Sequence, residues 1–178
     1  MTFAIERLHE SLRPMLVAHF LSLPMKDRCL RFGTPVALPA IAAYVEGIDF
    51  GRDAVFGIHD PELVLVGAVH VAVVDDLAEL GLSVLPTHRR RGIGSALFER
   101  AAAHVRNRSI PRLLMHFLAD NGPIMRMARR FGMHIVTSAG DADAQLELRP
   151  ASWASITGEL VADAFARSHR ALRGLASA

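Results

Sequence analysis

Arg89-Arg90-Arg91-Gly92-Ile93-Gly94-Ser95 joins an apolar run ending at Leu85-Pro86 to a stretch with helical spacing. Two glycines clear side chains away from the backbone, and a helix that follows aims its unpaired N–H groups and positive end at any anion placed there. That end contributes only about 0.3 to 2 kcal/mol, so several backbone N–H bonds and arginine charge must supply most of a phosphate's affinity. A P-loop would need Lys followed by Ser or Thr after its second glycine, and the only lysine is Lys26. A dinucleotide loop would need a small residue where Leu97 stands and an acid about 20 positions on, where Leu113, Leu114 and Met115 stand. One carboxylate, Glu79, lies on the strand that enters the turn. Leu80, Leu82 and Val84 alternate there with Glu79, Gly81 and Ser83, so Glu79 is on the face opposite the larger apolar residues. Ser83 has no base beside it in sequence, and Ser95 is placed to cap the helix or to donate to phosphate. The nine histidines show no metal-ligand spacing and one cysteine builds no thiolate site, so no metal is expected. His70 and His116 fall in strands and read as hydrogen-bonded strand histidines.

The elements that position these residues follow from periodicity and turn chemistry. A strand near Phe3 to Leu8 precedes helices at about Arg13 to Leu21, Met25 to Arg31 and Pro39 to Ile48. Strands at Ala54 to Ile58, Leu63 to Val74 and Leu77 to Leu85, joined through His59-Asp60-Pro61-Glu62 and Asp75-Asp76, make an antiparallel meander. A helix from Gly94 to about Asn107 carries Leu97, Ala101 and Val105 on one face, and Leu113 to Phe117 reads as the next strand. Asp120-Asn121-Gly122-Pro123 starts a helix that stops at Gly132. Met133 to Ser138 and Ala144 to Leu148 form a hairpin across Gly140-Asp141. The last helix, Trp153 to about Leu172, gathers Trp153, Ile156, Leu160, Val161, Ala164, Phe165 and Leu172 on one face. Packing of that face on the protein's own core is the expectation; a homodimer contact is the alternative. The fold class is α/β, with a mixed, mostly antiparallel sheet, in a single domain over residues 1–178 whose residues 151–178 are a helical extension.

Arg89, Gly92 and Gly94 fill the pattern of the acyl-CoA pyrophosphate loop of the GNAT superfamily of N-acetyltransferases, and the strand, helix, strand, Asn121 and helix around them recur in the same order. His19-Phe20-Leu21-Ser22-Leu23, Arg28 to Gly33, Ile48-Asp49-Phe50, Ala78-Glu79-Leu80 and Asn121 to Met133 look like the acetyltransferase domain of bacterial Pat-type protein lysine acetyltransferases. The likeness spans roughly residues 14–136. It lacks the acyl-CoA synthetase-like region or nucleotide-sensing module to which that domain is often fused. The resemblance implies a GNAT fold, acetyl-CoA as co-substrate, and transfer of acetyl to a primary amine, on a small molecule or a protein lysine. It implies that backbone groups around Leu82 and Val84 pair with pantetheine and that Arg89, Arg90, Arg91, Gly92, Ile93, Gly94 and Ser95 hold pyrophosphate. Asn121 would touch the cofactor arm, and Glu79 would be the base. A base matters because an alkylammonium of pKa near 10.4 is neutral in only about one molecule in 2,500 at pH 7, a penalty of about 4.6 kcal/mol. Many GNAT enzymes protonate the leaving thiolate with a tyrosine where this chain has Ala128, and Tyr44, the only tyrosine, lies on an early helix. Proton supply then falls to water, the proton leaving the ammonium or His116. A non-catalytic acyl-CoA sensor on the same fold is the rival reading.

Composition fits one enzyme-sized domain. With 51% hydrophobic residues, a chain of 178 can bury about 70% of its unfolded surface. The longest apolar run, Leu63 to Val74, is too short for a bilayer and contains His70. Glu6 and Arg7 interrupt the start before a secretory core develops, and the lone Cys29 makes no internal disulfide, so cytoplasm is the default. A formal charge of +2 with dispersed arginines argues against nucleic acid. Arg126, Arg129 and Arg130 read as a solvated helix face.

Overall fold

A computed structural model describes residues 3–176, with side chains through residue 168. Seven strands form one sheet in the order β1-β2-β3-β4-β5-β7-β6. They are β1 (Ile5–Arg7), β2 (Ala54–His59), β3 (Leu65–Val74), β4 (Leu77–Val84), β5 (Arg112–Leu118), β6 (His134–Ser138) and β7 (Asp141–Glu147). All neighbours are antiparallel except β4 and β5. The helices are α1 (Arg13–Leu21), α2 (Met25–Phe32), α3 (Leu38–Glu46), α4 (Ile93–Asn107), α5 (Gly122–Arg130) and α6 (Trp153–Ala176). No helix among the described residues is long and apolar enough to cross a membrane.

The sheet separates two cores. Phe56, Val69, Leu80, Leu97, Phe98, Leu113 and Met115 pack with α4 and α5 on one face. Leu16, Phe20, Ile41, Val45, Val55 and Leu65 pack with α1 and α3 on the other. The strand alternation read from sequence therefore holds, because each face of the central strands has its own layer to fill. Gly67 lets α4 approach the sheet: a Cβ there would lie 2.7 Å from Ile93 Cγ2 and 3.1 Å from Leu97 Cδ1.

Several expected boundaries move for local reasons. β3 begins at Leu65 instead of Leu63, since Asp60 accepts the Val64 N–H at 2.8 Å and Leu63 has φ +62°. β1 is shorter than expected, although Leu8 still donates to the Val55 carbonyl at 2.8 Å. β7 starts three residues before the expected Ala144, and its hairpin turns at Ala139-Gly140, both with positive φ, instead of Gly140-Asp141. Asp141 and Asp143 look like turn residues in sequence, but their side chains alternate with Ala142 and Ala144, which are buried in the α5 core.

The larger correction concerns α6. Trp153, Leu160, Val161 and Phe165 are exposed, at 85%, 63%, 68% and 51%, so the apolar stripe does not face the core. Leu172 lies outside the residues whose side chains are described. α6 docks on α4 and β1 through its polar side instead. Arg100 reaches Glu159 at 2.8 Å and Asp163 at 2.6 Å, His104 meets Glu159 at 2.7 Å, and Asn107 donates to Glu159 at 2.6 Å. Burial pushes the Glu159 carboxyl up, but hydrogen bonds from His104, Asn107 and Arg100 outweigh it and hold it well below the usual carboxylate range. Ala166, 3% exposed, is the small residue that lets the helix lie close.

Candidate active site

β4 and β5 pair only from Leu77 to Glu79 and from Arg112 to Leu114, although β4 runs on to Val84 and β5 to Leu118. Beyond Glu79 the two strands part, and a wedge opens in the middle of the sheet. The Leu85 N–H donates to the Val66 carbonyl at 2.9 Å, which sets the alternation of bonds along β3 and β4. Glu79, Gly81 and Ser83 direct their backbone groups to β3, while Leu82 and Val84 turn theirs into the wedge. A strand edge left open in this way is ready to pair with an extended amide chain.

The wedge ends at the Arg89–Ser95 loop. Gly92 has φ +86° and caps α4, and Arg90 has φ +60°. Two residues in the left-handed region turn successive amides the same way, and glycine adopts that conformation without the cost of a Cβ. Among the described residues, none of the N–H groups from Arg90 through Ser95 donates to a protein acceptor; the first helical bond is from Ala96 to Gly92 at 3.0 Å. Ser95 does not cap α4, whose N-cap residue is Gly92. Arg90 and Arg91 are exposed. Arg89 is not free: it meets Asp27 of α2 at 2.8 Å and donates from Nε to the Val84 carbonyl at 3.0 Å, bracing the loop against the strand.

Glu79 is exposed and shares its face of β4 with Gly81 and Ser83, as its strand phase predicts. Across the wedge on the same face stands His116, whose Nδ1 is 2.8 Å from Asp143. That hydrogen bond raises the His116 pKa, with further help from the charges of Asp143, Asp141 and Glu79. Asn121 is buried at 6%; its Oδ1 accepts the Ile124 N–H, capping α5, and its Nδ2 donates to the Leu30 carbonyl at 3.4 Å. It ties the start of α5 to α2. Ala128 is fully buried in the core on the α5 side. A cavity of about 390 Å³ lined by Glu6, Arg7, Asp163 and Arg167 lies three strands away between β1 and α6, and none of the residues above line it.

Sequence reasoning missed a polar row on the Glu79 face of β4. Arg31 of α2 lies flat on Gly81, where a Cβ would come within 2.2 Å of Nη2 and 2.3 Å of Cζ. Its Nη2 donates to the Tyr44 hydroxyl at 2.8 Å, Tyr44 donates to His70 Nδ1 at 2.7 Å, and His70 Nε2 donates to Asp53 at 3.2 Å. Burial, then the Arg31 charge, keep His70 below its usual pKa. The legible signal was Gly81, because a glycine inside a strand marks a close approach. Its companions lie on α2, α3 and β3 and, for Asp53, just before β2, so no spacing pointed to them. Next to this row, His19 Nδ1 donates to the Leu65 carbonyl at 2.7 Å, which leaves Nε2 to accept from Ser83 at 2.8 Å. Both residues are buried, and the pair pins α1 to β3 and β4.

Comparison with known proteins agrees with this geometry. The profile of the Acetyltransferase (GNAT) family matches residues 32–133. No curated protein sequence matches the chain. The GNAT domain of S. lividans PAT superposes with a TM-score of 0.70 at 19% identity, over 81% of this chain and 89% of that one. The PaiA N-acetyltransferase of Thermoplasma acidophilum, solved with coenzyme A, gives 0.63 at 14% identity over 83% and 99%. The ribosomal-protein-S18-alanine N-acetyltransferase of Escherichia coli gives 0.62 at 20% over 84% and 96%. The profile covers more than half of the chain, the strand order and split are in place, and the protein belongs to the GNAT family of acetyltransferases.

Proposed function

We propose that the protein moves the acetyl group of acetyl-CoA to a primary amine, on a small molecule or a protein lysine, in a direct ternary complex. The observation that carries this reading is the split between β4 and β5, with the unpaired N–H groups of Arg90 through Ser95 at its open end. Pantetheine would pair with the backbone groups that Leu82 and Val84 turn into the wedge, Arg89 giving up its bond to the Val84 carbonyl where that group is needed. The pyrophosphate would sit on the amides of Arg90, Arg91, Gly92, Ile93, Gly94 and Ser95, near the charge of Arg90 and Arg91. Arg89 braces the loop and Asn121 holds α5 beside the cofactor arm. Coenzyme A bound to the T. acidophilum relative supports the choice of ligand.

Glu79 takes the proton from the attacking ammonium, directly or through water, as the nitrogen forms its bond to the thioester carbon. Collapse of that adduct breaks the C–S bond, and the departing thiolate takes a proton from the newly acylated nitrogen, from water or from His116. A positioned carboxylate contributes about 100- to 10,000-fold to such a step. A cytoplasmic location belongs to this reading, supported by the single cysteine. The exposed stripe of α6 is the feature a homodimer would use.

Release of free thiol from acetyl-CoA, followed over a panel of amines and lysine peptides, tests the proposal, with the mass of the product confirming one added acetyl. Transfer to at least one amine is the expected result. Tight acetyl-CoA binding without transfer to any amine would favour a sensor, the reading to which the buried Ala128 gives its support.

A further inference from the structure

Arg31 is a half-buried cation with no acidic partner. Its guanidinium is framed by Phe20, Phe32 and Tyr44, with ring centroids at 5.5, 4.9 and 5.5 Å. Of its N–H groups only Nη2 is used, on the neutral Tyr44 hydroxyl, and Nε is buried without an acceptor. The relay through Tyr44 and His70 reaches a carboxylate only at Asp53, two neutral side chains away. A desolvated guanidinium with unused donors costs free energy unless an anion completes it. A carboxylate fits best, because the planar fork of Arg matches it bidentately.

Its position says which carboxylate. Arg31 covers Gly81, which is two residues from Glu79 on the same face of β4, a separation of about 6.6 Å along a strand. A small molecule that gives its amine to Glu79 can therefore give a carboxylate to Arg31. We propose that Arg31 binds the carboxylate of the acceptor, so that the acceptor class is a free amino acid or a similar amino carboxylate. This rests on the acetyl-transfer reading for the amine, but the anion site itself does not.

The test uses the protein amino acids as free acids and as their primary amides. Turnover with acetyl-CoA and calorimetry of the CoA-bound protein are measured for wild type, Arg31→Met and Arg31→Lys. The expected result is a preference of about 100-fold in kcat/KM for the best acid over its amide. Arg31→Met should bring the acid down to the level of the amide, and Arg31→Lys should restore part of the difference, which also guards against simple misfolding. Equal use of acid and amide by wild type, or an equal loss of both in Arg31→Met, overturns the proposal. So does a preference for succinyl-CoA over acetyl-CoA that disappears in Arg31→Met, since the carboxylate would then belong to the acyl chain. Binding of the acid to the CoA-bound protein, lost in Arg31→Met but without turnover, would support the anion site and contradict acetyl transfer. Absence of acid binding contradicts the anion site whatever the transfer assay gives.

Discussion

His19 shows what burial does to a single side chain. It is 2% exposed, and burial lowers its pKa to about 4, opposed by the bond to Leu65 and assisted by the Arg31 charge. The unfolded chain binds this proton near pH 6.5 and the folded chain does not, so His19 favours folding above 6.5 and that contribution is lost as pH falls toward 4. Denaturant titrations at pH 7 and pH 5 should differ by about 2 kcal/mol from this residue, and His19→Gln should show a smaller difference. His116 has the opposite sign, its raised pKa favouring folding below 6.5, but it is half exposed. Ala128 makes a second point. Because it is fully buried, Ala128→Tyr overpacks the core at a cost of about 1 to 3 kcal/mol, so a melting temperature should fall and turnover should not rise. The exposed place of Glu79 on β4 was legible from strand alternation, while its role as base came from the family resemblance. His70 was read as a hydrogen-bonded strand histidine and is one, but its grouping with Arg31, Tyr44 and Asp53 was not legible, because long-range partners leave no periodic trace.

α4 and its loop were the most legible element, since Arg/Gly composition and a helix start coincide in a few residues. Gly94→Val tests the loop better than the same change at Gly92, whose positive φ would strain any β-branched residue by about 1 to 2 kcal/mol. A Cβ on Gly94 meets Leu82 Cδ2 at 3.7 Å, an ordinary contact, so the fold should tolerate it. Acetyl-CoA affinity by calorimetry should fall about 10- to 100-fold, as charge-assisted amide bonds are lost. α6 was the least legible. Its period gave the stripe, but the helix is held by buried ions on its other side, and nothing local in the sequence links Glu159 to Arg100, His104 and Asn107 across more than 50 positions. Glu159→Ala should cost about 3 kcal/mol, as Arg100 keeps only Asp163, and should release α6 to faster amide exchange while α4 stays protected.

At the scale of the molecule, a sheet with a core on each face is opened at one point, where a parallel pair gives way after three residues. Strand number, meander and the order of elements could be read from the sequence, because turns and alternation are local. The length of the β4–β5 pairing could not, since nothing local in either strand marks where it stops. On the proposed function, this opening delivers an acetyl thioester to an amine beside Glu79. The direct measurement is the pH profile of kcat for Glu79→Gln against wild type on an acceptor identified by thiol release, with acetyl-CoA affinity measured alongside. A loss in kcat of about 100-fold or more at neutral pH is expected, with unchanged acetyl-CoA affinity and partial recovery at high pH where neutral amine is abundant. Nearly full turnover of Glu79→Gln at neutral pH would contradict it.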